Sequence, residues 1–142
     1  MNEITSLNNG SPMYLDQTKY QLSEVFNRQK TSNEVQLLVK KFHIQLSNKE
    51  YIKKNSQFKA RTHKKGITYM INDKKAFLMI DIHQKFFSGR FFTGNAEIPG
   101  QEKGNWLHSK DDAGCKMFRI VDNNTLEKAL DFAYVAYGIA HS

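Results

Sequence analysis

The chain has 142 residues, enough for one domain and too few for two ordinary ones. Hydrophobic residues make up 39% and charged ones 25%, so the chain can bury a core and wholesale disorder is excluded. The net charge of +7 points to an anionic partner, and Cys115, the single cysteine, excludes an internal disulfide.

A reducing, cytoplasmic setting is the expectation from that cysteine usage. The first thirteen residues carry no apolar stretch of the secretory kind, and no run of about 18 apolar residues is present to span a bilayer. Seventeen of the 21 cationic residues are lysines, and the arginines are Arg28, Arg61, Arg90 and Arg119. Lysine is a hydrated point charge, whereas arginine grips phosphate or guanine through two bonds, so this balance favours non-specific contact with a polyanion.

Residues 1–13 read as a flexible polar tail closed by Ser11-Pro12, and residues 14–142 as one domain. From Tyr14 to about Arg28 the residues Leu15, Leu22, Val25 and Phe26 favour one helical face, with Glu24 and Arg28 paired across the outer one. Thr31 and Glu34 have the spacing of a capping box. Behind them Val35, Leu38, Val39, Phe42 and Leu46 form an amphipathic stripe, predicting a second helix over about 32–46. Phe42, Ile44 and Leu46 also alternate, which leaves a strand open for the end of that segment.

Ile67–Ile71 and Lys75–His83 read as a hairpin about the turn Asn72-Asp73-Lys74. The second run is apolar on both faces, as expected of a central strand covered by helices. Phe86 to Gly94 reads as a tight turn with aromatic arms, and Asn95–Gly114 as a long loop carrying Trp106. Lys116–Val121 alternates like a strand. Asn124 and Glu127 then suit a helix start with Asp122 adding charge, and Leu126, Ala129, Leu130, Ala133, Ala136 and Tyr137 supply its apolar face. The fold class is therefore α+β: two N-terminal helices, a small, mainly antiparallel sheet of three or four strands, and a C-terminal helix packed on it.

The charge is concentrated. Between Lys40 and Lys65 there are nine basic residues and one acid, Glu50, so this segment carries +8 and the remainder of the chain −1. A concentrated excess makes a local field, to which His43 and His63 would add below neutral pH. Tyr51 and Phe58 lie within it, where rings stack on unpaired bases or turn into the core.

The aromatic run Phe86, Phe87, Phe91 and Phe92 flanks Gly89-Arg90. One member of each adjacent pair belongs in the core and the other faces solvent, a helix or a partner.

No motif for a cofactor is present. His83, His108 and Cys115 match no compact zinc spacing, so no metal is expected. Cys115 lacks the flanks of a nucleophile and reads as a buried thiol. Asp81 interrupts an apolar run, and with Asp73 and Lys85 it is the weak starting point for a metal-dependent nuclease. The reading favours a binding domain over an enzyme. Phosphates of a nucleic acid are expected at Lys40, Lys41, Lys53, Lys54, Lys59, Arg61, Lys64 and Lys65. The alternative is a protein-interaction module, either a dimeric accessory factor or a phage- or plasmid-type regulator binding a host protein. It would meet an acidic partner or a second copy through Phe91 and Trp106. No membrane contact is expected.

Overall fold

The computed structural model describes residues 3–5, 12–93, 106–107 and 115–141. In chain order the elements are β1 (Glu3–Thr5), β2 (Pro12–Tyr14), α1 (Leu22–Gln29), α2 (Asn33–Asn48), α3 (Glu50–Lys53), β3 (Lys59–His63), β4 (Gly66–Asn72), β5 (Lys75–Ile82), β6 (Phe87–Phe92), β7 (Trp106–Leu107), β8 (Cys115–Ile120) and α4 (Asn123–His141). The fold is α+β, as the clustering of strands predicts. Among the described residues the main sheet is antiparallel throughout and has six strands in the order β3-β4-β5-β6-β8-β7, where three or four were expected.

Two segments account for the added strands. Lys59–His63 shows no apolar period because its inward residues are only Ala60 and Thr62, yet both are buried and the strand pairs fully with β4. The expected aromatic turn at Phe86–Gly94 is instead one strand, β6, running through Gly89. That glycine is a packing site rather than a bend: a Cβ there would sit 3.0 Å from the ring of Phe91.

The helical segments also differ at their ends. Helix α1 begins only at Leu22, because the chain before it runs extended along the edge of β3. Asp16 donates its N–H to Ala60 O at 2.9 Å and accepts from Thr62 N–H at 2.9 Å, leaving Leu15 in the core. Gln17 Oε1 then accepts the Leu22 N–H at 2.8 Å and satisfies one of the first-turn donors. Arg28 reaches away from Glu24 to donate to Lys64 O at 2.6 Å. Helix α2 keeps its helical form through Leu46, which settles the strand alternative. Its cap is Ser32, one residue later than expected, whose Oγ accepts from Val35 N–H at 3.3 Å.

At α4 the cap is Asp122 with Thr125, not Asn124 with Glu127. Asp122 Oδ1 accepts the Thr125 N–H at 2.9 Å, and Thr125 Oγ1 accepts the N–H groups of Val121 and Asp122 at 2.9 and 3.1 Å. In the segment read as a polar tail, β1 and β2 pair antiparallel, since backbone pairing needs no apolar pattern.

Helices α2 and α4 pack on one face of the sheet. Phe42 of α2 meets Tyr69 and Phe87 edge-on, while Phe132 of α4 meets Phe91 and Phe118, and Tyr137 meets Phe77. The core accordingly takes Ile67, Tyr69 and Ile71 from β4, Leu78, Ile80 and Ile82 from β5, and Phe87 and Phe91 from β6. The apolar run of β5 is thus a central strand with α2 and α4 on one side only. Register shifts in the β4–β5 pairing near Met70 bring both Phe77 and Leu78 inward, while Met79 and Asp81 point to the other face. Among the described residues no helix is long and apolar enough to cross a membrane.

Candidate nucleic-acid interface

The basic segment does not form one patch. Lys40 lies in a groove of about 280 Å³ between α1 and α2, beside Gln17, Phe26 and Gln36. Lys41 donates to Asn123 Oδ1 at 3.0 Å, at the start of α4. Both belong to the helical layer.

The remaining cations lie on the short α3 and on the edge strand β3 with its turn. Lys53 closes the short α3, and Lys54 pairs with Glu50 at 2.9 Å. Asn55 ties this corner to the end of β4 by donating to Ile71 O at 3.0 Å and to Tyr137 Oη at 3.0 Å. Lys59 opens β3 and pairs with Asp73 in the β4–β5 turn. Arg61 is exposed in mid-strand, and Lys64 and Lys65 form the exposed β3–β4 turn. A five-residue strand spans roughly 17 Å, so Lys59, Arg61 and the turn lysines make a line rather than a cluster.

The aromatic residues of the segment turn away from solvent or are occupied. Phe58 stacks on Tyr69 and packs beside Phe77. Tyr51 stays partly exposed against Tyr134 and Tyr137, with Lys49 Nζ 4.5 Å from the Tyr134 ring centre. His43 is 0% exposed, with Nδ1 3.0 Å from Tyr69 Oη, so it adds nothing to the surface field.

The outward face of the sheet holds residues that sequence spacing did not connect. One cross-strand row reads Arg61–Thr68–Met79–Arg90, and the next reads His63–Gly66–Asp81–Ser88–Arg119. Asp81 joins the two rows: its Oδ2 faces Arg90 at 3.4 Å and its Oδ1 faces His63 Nε2 at 3.7 Å.

His63 Nδ1 accepts the Lys65 N–H at 3.1 Å, so its proton sits on Nε2, which donates to Ile80 O at 3.1 Å. Burial pushes the His63 pKa below the ordinary imidazole value, against an opposing pull from Asp81. The ring is therefore neutral at pH 7 and has no free lone pair with which to activate Ser88.

None of the family models, curated proteins or solved structures compared with the chain matches it.

At the far end of the second row, Arg119 lies 4.6 Å from the Phe86 ring centre, and His83 stacks on the same ring at 4.4 Å. Burial also lowers the His83 pKa, again opposed by Asp81.

Phe91, named from sequence as an interaction residue, is 0% exposed and part of the core. It cannot touch a partner directly, and Phe92 is the more exposed of the pair. The alternation rule was right, but the inward member was fixed by the register against β5 and β8. Trp106 lies in β7, opposite Phe118 on β8. His108 and the greater part of the loop read at Asn95–Gly114 lie outside the described residues. Asp73 and Asp81, eight positions apart along β5 and its turn, are on the order of 25 Å from one another and do not converge. Among the described residues no three His, Cys, Asp or Glu side chains are grouped to hold a metal.

Proposed function

We propose that the protein is a small, non-enzymatic binding domain that holds nucleic acid by its phosphates. The observation that supports this most is the line of cations on the edge strand β3 and its turn, Lys59, Arg61, Lys64 and Lys65, with Lys53 and Lys54 at the end of the short α3 before it. Lys54 and Lys59 have acidic neighbours, but these pairs are exposed and such pairs contribute little, so a polyanion displaces them readily. Lysine-rich contact of this kind gives modest affinity, weak sequence preference and a steep salt dependence.

The test is fluorescence anisotropy with labelled DNA and RNA at several salt concentrations. Affinity should fall along a straight log–log line, and K53E/K54E/K64E/K65E should abolish binding while leaving the thermal melt unchanged. An absence of binding by the wild-type protein at about 50 mM salt would overturn the reading.

A second reading is a protein-interaction module. Among the described residues β7 covers only two positions of β8, and a partly unpaired strand edge is a template for a partner strand. In that case Trp106→Ala would disrupt a complex that the lysine substitutions leave intact.

A further inference from the structure

We propose that the face of the sheet opposite α2 and α4 binds single-stranded nucleic acid, seating its phosphates on Arg61, Arg90 and Arg119. This rests on the nucleic-acid reading above and names the form of the partner. Three of the four arginines of the chain project from the face opposite α2 and α4, although they lie far apart in sequence. The face spans β3 to β6 and β8, about 19 Å across at normal strand spacing. Among the described residues the acids of these rows are Asp81, whose carboxylate is already faced by Arg90 and His63, and Asp16, which bridges to Arg61 at the edge. The balance on the face is cationic.

Two donors there lack an acceptor. Arg90 Nε and Ser88 Oγ are buried without a hydrogen-bond partner, and Ser88 is only 1% exposed. Both atoms are shut off from solvent, so an incoming phosphate meets the terminal nitrogens of Arg90, whose side chain is 35% exposed, rather than these two. The guanidinium of Arg119 is then free to act on a neighbouring phosphate while it stays against Phe86.

The form of the nucleic acid follows from shape. A duplex keeps its bases stacked inside, where the rings at the rim of this face cannot stack on them. A single strand lies flat over such a face, and its unpaired bases find planar partners in the stack of His83, Phe86 and Arg119 at the rim. Arginine binds phosphate through a planar fork, so this face adds directed contacts to the charge of the lysine line.

The experiment compares labelled oligo-dT and oligo-U of about 12 nucleotides with a duplex of the same length. Wild-type protein, Arg61→Gln/Arg119→Gln and K53E/K54E/K64E/K65E are titrated at several salt concentrations. The single strands should bind several-fold tighter than the duplex. Loss of two phosphate contacts in the arginine variant should make the log–log salt slope shallower by about 1.4.

Equal or tighter binding of the duplex would overturn the proposal. So would an unchanged slope in the arginine variant alongside a flattened one in the lysine variant, an outcome that leaves the lysine-edge reading standing. Failure of every probe to bind wild type would overturn both. If the arginine variant melts early, backbone amide shifts of the wild-type protein with oligo-dT decide the matter. Thr68, Met79 and Ser88 should move, and shifts confined to α2 or α4 would sink the assignment.

Discussion

His63 and Gly66 face each other at the end of the β3–β4 ladder, and both lie against the carbonyl of Ile80 on the neighbouring strand. His63 Nε2 lies 3.1 Å from Ile80 O, while a Cβ on Gly66 would come within 1.9 Å of that same oxygen. Backbone, not a flexible side chain, blocks the substitution. Gly66→Ala should therefore destabilise the fold by about 2–3 kcal/mol, read as a lower urea midpoint at unchanged slope.

The neutral state of His63 also predicts a pH dependence. Its folded pKa lies below the unfolded value of 6.5, so the unfolded chain takes up the proton first as pH falls. Its contribution is complete above pH 6.5, declines below it, and levels off once the folded pKa is passed. His83 is shifted in the same direction and adds to the trend. Stability measured by denaturant between about pH 7.5 and 5 should fall, and His63→Gln should remove part of that slope. A flat profile in the wild-type protein would show that neither ring is held neutral.

Phe91 separates a packing role from an interaction role. Its ring is fully buried against Phe132, so Phe91→Ala should cost about 3–5 kcal/mol through the cavity it leaves. A variant that melts like wild type but loses a partner would contradict this placement.

The Asp122–Thr125 cap is a separate, local test. Asp122→Ala removes the acceptor for the Thr125 N–H and should cost about 1 kcal/mol, whereas Asn124→Ala should change little. Thermal melts of the two variants give the comparison.

Lys30 closes α1 with φ at 54°, the left-handed region that disfavours a side chain. Lys30→Gly relieves that strain but gives the unfolded chain more freedom. The net effect should be a gain of about 0.5 kcal/mol, seen as a small rise in melting temperature.

Much of this architecture was legible locally. The stripe of Val35, Val39, Phe42 and Leu46 and the apolar face of α4 repeat at helical spacing, and each of these residues is buried. The hairpin about Asn72-Asp73-Lys74 was equally clear, because turn residues and alternation act over neighbours in the chain. Strand β3 was not legible, since its inward residues are too small to leave a hydrophobic signature, and Gly89 carried the mark of a turn while serving to admit the ring of Phe91. The charge excess of Lys40–Lys65 was visible as a sum, yet chain direction sent Lys40 and Lys41 into the helical layer and the other cations to the short α3 and the edge strand β3 with its turn.

By itself the sequence determined the fold class, the helical faces and the concentration of positive charge, because each depends on composition or on periods of a few residues. Only the tertiary structure decided which charges meet. Strand register set Arg61 and Arg90 in one row and His63, Asp81, Ser88 and Arg119 in the next, and register is a relation between strands that no local spacing encodes.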